Sequence, residues 1–197
     1  MKKILLALFL LCNSSVYAQE NKEDYVMFYL QQDGTFLNEN GEKYTVLNYD
    51  GKTASELYDM VKNNVMAAYN DPKSVMSEND GQVISVNGYT ENLWRNGIDY
   101  GGDYKLTFRF KDNKIRVDAP SISSKLYRTT KIDWMNKSYP NSVYFYDCAR
   151  KCCNSNSEKN KKRKMLIENN VNVPINYLLG KIKTENNSSA ESNDDDW

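Results

Sequence analysis

The stretch from Asp103 to Ile122, "DYKLTFRFKDNKIRVDAPSI", limits the fold more than any other part of the chain. Tyr104, Leu106, Phe108 and Phe110 alternate with Lys105, Thr107, Arg109 and Lys111, the period of a strand with one apolar and one polar face. With Asp112-Asn113 as a two-residue turn, Phe110 pairs with Ile115, Phe108 with Val117 and Leu106 with Ala119, so one face is core. The same register sets Arg109 opposite Arg116 and Lys111 opposite Lys114 on the other face. Like charges directly opposite are unfavourable by about a few tenths of a kcal/mol. Either nearby carboxylates such as Glu78 and Glu91 answer them on a solvated face, or an acidic ligand or partner does.

The flanking segments predict more strands and two helices. Tyr25–Gln31 and Lys43–Tyr49 are strand-like around a polar, glycine-containing connection. Thr53 and Glu56 then form a capping-box pair, and Leu57, Met60, Val61, Val65 and Ala68 recur at helical spacing until Asp71-Pro72 stops the helix. Asp80-Gly81 predicts a tight hairpin in which Val75 faces Val86 and Ser77 faces Ile84. "ENLWRNGIDYGG" reads as a long loop tipped by glycines, and "SKLYRTTKIDW" and "NSVYFYDCA" as two further strands. Met165, Ile167, Val171, Ile175, Leu178, Leu179 and Ile182 mark a C-terminal helix, broken or kinked near Pro174 because an interior proline removes a hydrogen bond. The segment 184–197, "TENNSSAESNDDDW", is too poor in apolar residues to order itself.

The first residues, "MKKILLALFLLCNSSVYAQE", carry two lysines, an apolar run too short to span a bilayer and a small residue before Gln19. This predicts a secretory signal cut after Ala18 and a periplasmic or secreted protein; a lipid anchor at Cys12 is the alternative, although Leu11 stands where a small residue is wanted. Loss of Lys2 and Lys3 turns the 26 basic residues into 24 against 26 acidic, a balance that does not suggest a nucleic-acid binder. No segment has the length of a transmembrane helix. The 15 tyrosines and scarce glycine and proline favour an ordered, β-rich body.

There is no histidine, which removes Ser-His-Asp and Cys-His catalysis and histidine-containing zinc sites together. Carboxylates for a hydrolase are available at Glu78 with Asp80, Asp99 with Asp103, and Asp147, all beside turns that favour acidic residues in any case. Cys148, Cys152 and Cys153 lack the fourth ligand of a zinc site and the C-x-x-C spacing of a redox centre. In an oxidising envelope a disulfide from Cys148 to Cys152 or Cys153 is expected, leaving one odd thiol to pair between chains; the alternative is that all three stay reduced. "KNKKRK" at 159–164 is expected to form the wet first turns of the last helix. Trp94, Arg95 and Tyr100 are the residues of the glycine-tipped loop best suited to contact a partner, since aromatics and arginine dominate recognition hot spots.

"GKTASELYDMV" at 51–61, "DPKSVMS" at 71–77 and "YKLTFRFKDNKIRVDAPSI" at 104–122 resemble a family of mostly small exported bacterial proteins known as domain of unknown function 4468. The resemblance covers about Tyr44 to Ile122. It implies a TATA-binding-protein-like, α+β fold: a curved antiparallel sheet flanked by helices. The family brings no catalytic residues, and the fold does not imply DNA binding. The expected organisation is a signal at 1–18, an N-terminal extension with a strand at 19–43, a core domain at 44–122, added strands and a C-terminal helix at 123–183, and a disordered acidic tail at 184–197. The expected function is a non-enzymatic binding or adaptor domain of the cell envelope without a cofactor or metal, serving an unknown envelope protein or a small ligand. The alternative is a carboxylate-dependent hydrolase.

Overall fold

The computed structural model describes residues 25–79, 81–129, 139–155 and 157–182. The signal segment with Cys12, Asp80 and the segment 184–197 lie outside the described residues. Along the chain come β1 (Tyr29–Leu30), β2 (Phe36–Leu37), β3 (Tyr44–Asn48), α1 (Ala54–Ala68), the single turn α2 (Pro72–Val75), β4 (Met76–Asn79), β5 (Val83–Arg95), β6 (Asp99–Lys111), β7 (Lys114–Ile122), β8 (Lys125–Arg128), β9 (Ser142–Tyr144), α3 (Phe145–Cys153) and α4 (Glu158–Leu178). β1 and β2 form a separate small hairpin. The remaining strands make one curled antiparallel sheet in the order β3-β7-β6-β5-β4, with β8 beside the start of β6 and β9 beside β8. The fold is α+β: α1 and α4 pack on one sheet face against Ile84, Val86, Leu106, Phe108, Ile115 and Val117, and the opposite face is open. Among the described residues no helix is long and apolar enough to cross a membrane.

The central hairpin keeps its expected register at Phe110–Ile115, Phe108–Val117, Arg109–Arg116 and Lys111–Lys114, then shifts by one residue so that Lys105 pairs with Ser121. The expected Leu106–Ala119 pair is lost to this bulge, where Ala119 N–H turns outward to bond Lys43 O at 2.8 Å. The turn residue Asn113 takes φ +62°, a conformation asparagine tolerates. Its Oδ1 accepts from Gly51 N at 2.7 Å, while Asp112 Oδ1 accepts from Ala54 N at 2.8 Å. The charged turn therefore caps α1 from outside, beside the capping box of Thr53 and Glu56. On α1, Tyr58 in place of the exposed Ala68 completes the buried stripe of Leu57, Val61 and Val65.

Several expectations are corrected. The hairpin at Gly81 pairs Met76 with Val86 and Ser77 with Ser85, one residue away from the expected register: Gln82 N bonds Asn79 O at 2.9 Å, Asn79 pairs with Val83, and Gly81 adopts φ +67°. "ENLWRNGIDYGG" is no loop; it forms the ends of the 13-residue strands β5 and β6. Its glycines serve close approach: a Cβ on Gly101 would stand 2.6 Å from Thr90 O, and one on Gly102 2.5 Å from Leu126 Cδ2. Only Ser142–Tyr144 of "NSVYFYDCA" is strand, and Phe145 onward is α3, which buries Phe145, Cys148, Ala149 and Cys152 at helical spacing. α4 runs unbroken through Pro174, since packing of Val171, Ile175 and Leu178 on both sides outweighs the local cost of about 3 kcal/mol. Met165, assigned to its apolar stripe, is exposed.

The N-terminal extension is held by a device that local patterns did not predict. Residues 25–28 are extended but belong to no sheet, and their backbone bonds go to side chains of α4. Val26 N donates to Asn176 Oδ1 at 2.9 Å, and Asn176 Nδ2 donates back to Val26 O at 2.8 Å. Phe28 and Asn172 repeat the exchange at 3.0 and 2.9 Å. Leu30 N then donates to Glu168 Oε1 at 2.9 Å. Four helical residues rise about 6.0 Å and two strand residues about 6.7 Å, so a side chain every fourth position keeps near-step with every second backbone unit. The longer glutamate makes up the drift at the third position. A carboxylate cannot donate, and Leu30 O accepts instead from Cys153 Sγ at 3.4 Å.

This clasp buries Val26, Phe28 and Leu30 in the core while Met27 and Tyr29 face outward. Asn172→Ala would leave both backbone groups of Phe28 buried and unpaired, at about 1–3 kcal/mol for each group. The expected outcome is a loss of roughly 2–4 kcal/mol in urea unfolding, with faster hydrogen exchange at Val26 and Phe28.

Candidate functional site

The expected Arg109–Arg116 opposition lies on the open face, where the sheet's register assembles a row of Val46, Arg116, Arg109 and Val83 across β3, β7, β6 and β5. The neighbouring row places Lys114 beside Lys111. Adjacent strands are about 4.8 Å apart and alternate residues about 6.7 Å apart, so four cations form a compact grid. The counter-charge is Asp118, two residues beyond Arg116 on the same face. Its Oδ2 accepts from Arg109 Nε at 2.8 Å and its Oδ1 from Arg116 Nε at 2.7 Å. Of the carboxylates expected to fill this role, Glu78 instead accepts from Tyr58 Oη and, at 2.9 Å, from Lys62 Nζ on the helical side. Arg116 also stacks on the Tyr44 ring, 4.2 Å from its centroid.

Asp118 orients both guanidinium groups through their Nε atoms, and both arginines remain about half exposed, at 51% and 47%. A depression of about 400 Å³ opens over them, lined by Val46, Gln82, Val83, Lys111 and Lys114 as well as the two arginines. The arrangement is a preoriented cationic surface with short apolar flanks. It is suited to anionic oxygens.

The other predicted contact residues are structural. Trp94 and Tyr100 pair across the end of the β5–β6 hairpin with exposures of 3% and 2%. Tyr100 Oη donates to Pro140 O at 3.1 Å. Arg95 is exposed and forms an ion pair with Asp99 at 3.0 Å. Thus the expected cluster divides: Arg109 and Arg116 share a surface, whereas Trp94 and Tyr100 are core.

The basic run 159–164 hides its most consequential member. Arg163 is 7% exposed, lies 4.8 Å from the Trp94 ring centroid, and donates through Nε to Arg95 O at 2.8 Å. Its amino groups reach Asn160 Oδ1 at 3.1 Å and Asn96 Oδ1. The run is therefore only partly a wet first turn. Its Arg163 plugs the hairpin tip with neutral acceptors and an aromatic face, partners a buried guanidinium requires.

Cys148, Cys152 and Cys153 carry no disulfide in the structure. Cys148 and Cys152 lie four apart on the buried face of α3, and Cys153 spends its proton on Leu30 O. Burial first, then the neighbouring Cys152, pushes the Cys148 thiol up to about 12, and burial with Cys153 does the same for Cys152. Burial also raises Cys153. The candidate carboxylates are scattered among elements: Glu78 on β4, Asp99 at the hairpin tip paired with Arg95, Asp103 on β6, and Asp147 on α3 paired with Arg150. Among the described residues, which leave out Asp80, these candidates do not share one element or one cluster as a two-carboxylate hydrolase requires.

The molecule is thus a curled antiparallel sheet with helices on one face and an oriented cationic grid on the other. No family model matches the chain, and no curated relative matches it. Among solved structures, it is similar to a TBP-like protein from Parabacteroides distasonis, at 14% identity over 68% of this chain and 90% of that one, with a TM-score of 0.48. It is also similar to a DUF4468 family protein from Bacteroides ovatus, at 11% identity over 78% of this chain and 91% of that one, with a TM-score of 0.49.

The thiols supply a test of their surroundings. Protein beginning at Gln19 should react with a thiol reagent at three cysteines in urea, and at least about a hundredfold more slowly when folded. A disulfide would leave one reactive cysteine. Folding favours the protonated thiols, so stability is unaffected below the unfolded value of 9.0 and should decline as pH rises from there toward about 12.

Proposed function

We propose that this chain is an exported, non-enzymatic binding protein of the cell envelope, and that its open sheet face receives an acidic ligand or the acidic surface of an envelope partner. The observation that carries the reading is the grid of Arg109, Lys111, Lys114 and Arg116, with Asp118 preorienting its two arginines. Export rests on the signal-like residues 1–18. The grid is flanked by Val46 and Val83, short side chains where a DNA-bending sheet would present wedging aromatics, and an exported protein rarely meets genomic DNA.

Charge reversal tests the surface. At about 50 mM salt, Arg109→Glu with Arg116→Glu should weaken binding of a fluorescein-labelled decaglutamate peptide by at least about tenfold, with wild-type affinity falling steeply as salt rises. Unchanged affinity in the double variant would remove the reading. Export is tested separately by fractionating the native host and sequencing the mature N-terminus. Gln19 is expected in the envelope or medium, and an intact Met1 in the cytoplasm would contradict it.

A further inference from the structure

We infer that the acidic partner of the open face is an extended peptide segment that joins the sheet as a further strand beside β3, with acidic and apolar side chains alternating along it. The inference rests on the reading of that face as a site for acidic groups and names the kind of partner that carries them. β3 is an outer strand, paired on one side with β7. Ala119 N donates to Lys43 O and Tyr49 N to Asn113 O, each at 2.8 Å, and the register between these ends is unbroken. Hydrogen-bonded pairs alternate along an antiparallel ladder, so Thr45 and Leu47 bond to β7 while the main-chain groups of Tyr44, Val46 and Asn48 point away from it. Tyr44 O accepts from Asn38 Nδ2 at 2.9 Å. The N–H and C=O of Val46 and of Asn48 have no partner among the described residues.

The side chains of this edge select what can join it. Sheets discourage edge pairing with short strands, charges, prolines and bulges. β4, at the other end of the strand order, is four residues long and carries Glu78. β3 has no charge, proline or bulge in its five residues, "YTVLN". On the open face Val46 is exposed, and Arg116 leans toward this edge, its Cζ 4.2 Å from the Tyr44 ring centroid. Arg116 gives Nε to Asp118, and its amino groups have no acceptor among the described residues. On the other face Leu47 pairs with Ile115 and packs against the core while staying partly exposed.

An added strand meets both faces at once. Its main chain lies about 4.8 Å from β3, and its side chains alternate between the faces. Those on the open face stand beside Val46, on the side toward which Arg116 leans, and there a carboxylate is favoured. Those on the other face extend the core past Leu47, where a β-branched apolar residue is favoured. Main-chain bonds supply affinity and the alternation supplies specificity. An anion without a peptide backbone meets only the grid and leaves the edge unused. A strand joining antiparallel, as every pair in this sheet does, sets its acidic residues opposite Val46 and Asn48, so the N–H groups of those residues face β3 and those of the apolar residues face solvent.

The test leaves the protein unaltered and varies the peptide. Three fluorescein-labelled forms of the heptapeptide Glu-Val-Glu-Val-Glu-Val-Glu are compared at about 50 mM salt: unmodified, N-methylated at the internal glutamates, and N-methylated at the valines. Methylation at the glutamates should weaken binding at least about tenfold, and methylation at the valines by less than about twofold. The unmodified peptide at saturation should slow amide hydrogen exchange at Val46 and Asn48 at least about tenfold, with Thr45 and Leu47 unchanged. Equal affinities for the two methylated peptides, with exchange at Val46 and Asn48 unaltered, would overturn the inference. The acidic-ligand reading would still stand in that case if Arg109→Glu with Arg116→Glu weakens the unmodified peptide. If neither that peptide nor decaglutamate binds, the reading fails and the inference fails with it.

Discussion

The exchange of hydrogen bonds between α4 and residues 26–30 is the constraint on which the arrangement turns. An extended backbone entering a core must have its amides and carbonyls answered, and among the described residues no strand pairs with Val26 or Phe28. Asn172 and Asn176, only 3% and 2% exposed, act as displaced peptide groups, each returning one donor and one acceptor. Because the match depends on the ratio of helix to strand rise, it fixes the position of α4 along its axis. Nine residues toward its N-terminus, that position delivers Arg163 to the open carbonyl and amide at the β5–β6 tip. One helix thereby closes the core at both ends, and its allegiance to one sheet face leaves the other uncovered.

Chemistry at the third rung ties the cysteine-rich stretch to the same device. Glu168 accepts from Leu30 but cannot donate, and burial holds its carboxyl above the ordinary range against the pull of Leu30 N–H and Lys164. The missing donor is the Cys153 thiol, positioned by the C-terminal turn of α3. Oxidising it would remove the proton that the bond uses. A stretch that reads as a surface connection is a packed helix, and the thiol of its last residue completes the clasp.

Legibility followed how local each determinant was. Alternation over residues 104–117 carried the central hairpin and the Arg109–Arg116 opposition, because strand period and turn chemistry lie within about fifteen residues of sequence. Asp118 shares Arg116's parity, so the same strand period places it on the face of the two arginines. The ends of β5 and β6 were obscured by glycines that mark backbone crowding against Thr90 and Leu126 and not a turn. α3 was hidden by aromatic strand formers although Phe145, Cys148, Ala149 and Cys152 already show helical spacing. The clasp left a visible trace too, Glu168, Asn172 and Asn176 at intervals of four, but its meaning depended on a partner some 150 residues away.

Arginine is used in two opposite ways in this structure, and the contrast bears on function. Arg163 is enclosed, with Arg95 O, Asn96 and Asn160 as acceptors and Trp94 beneath it, so its bonding capacity is spent on the fold. Arg109 and Arg116 give only Nε to Asp118 and stay half exposed beside Lys111 and Lys114. Such exposed ion pairs add about a kcal/mol or less to stability, too little to explain four cations held together at strand spacing. Their orienting effect is the larger consequence: Asp118 and the Tyr44 ring restrict side chains that would otherwise lose about 2 kcal/mol of rotamer entropy each on engaging a partner. Asp118 lowers the total positive potential of the face, but it also places two guanidinium planes in advance. A surface optimised only for solubility would disperse these charges, whereas a surface that receives acidic groups gains from having them ordered.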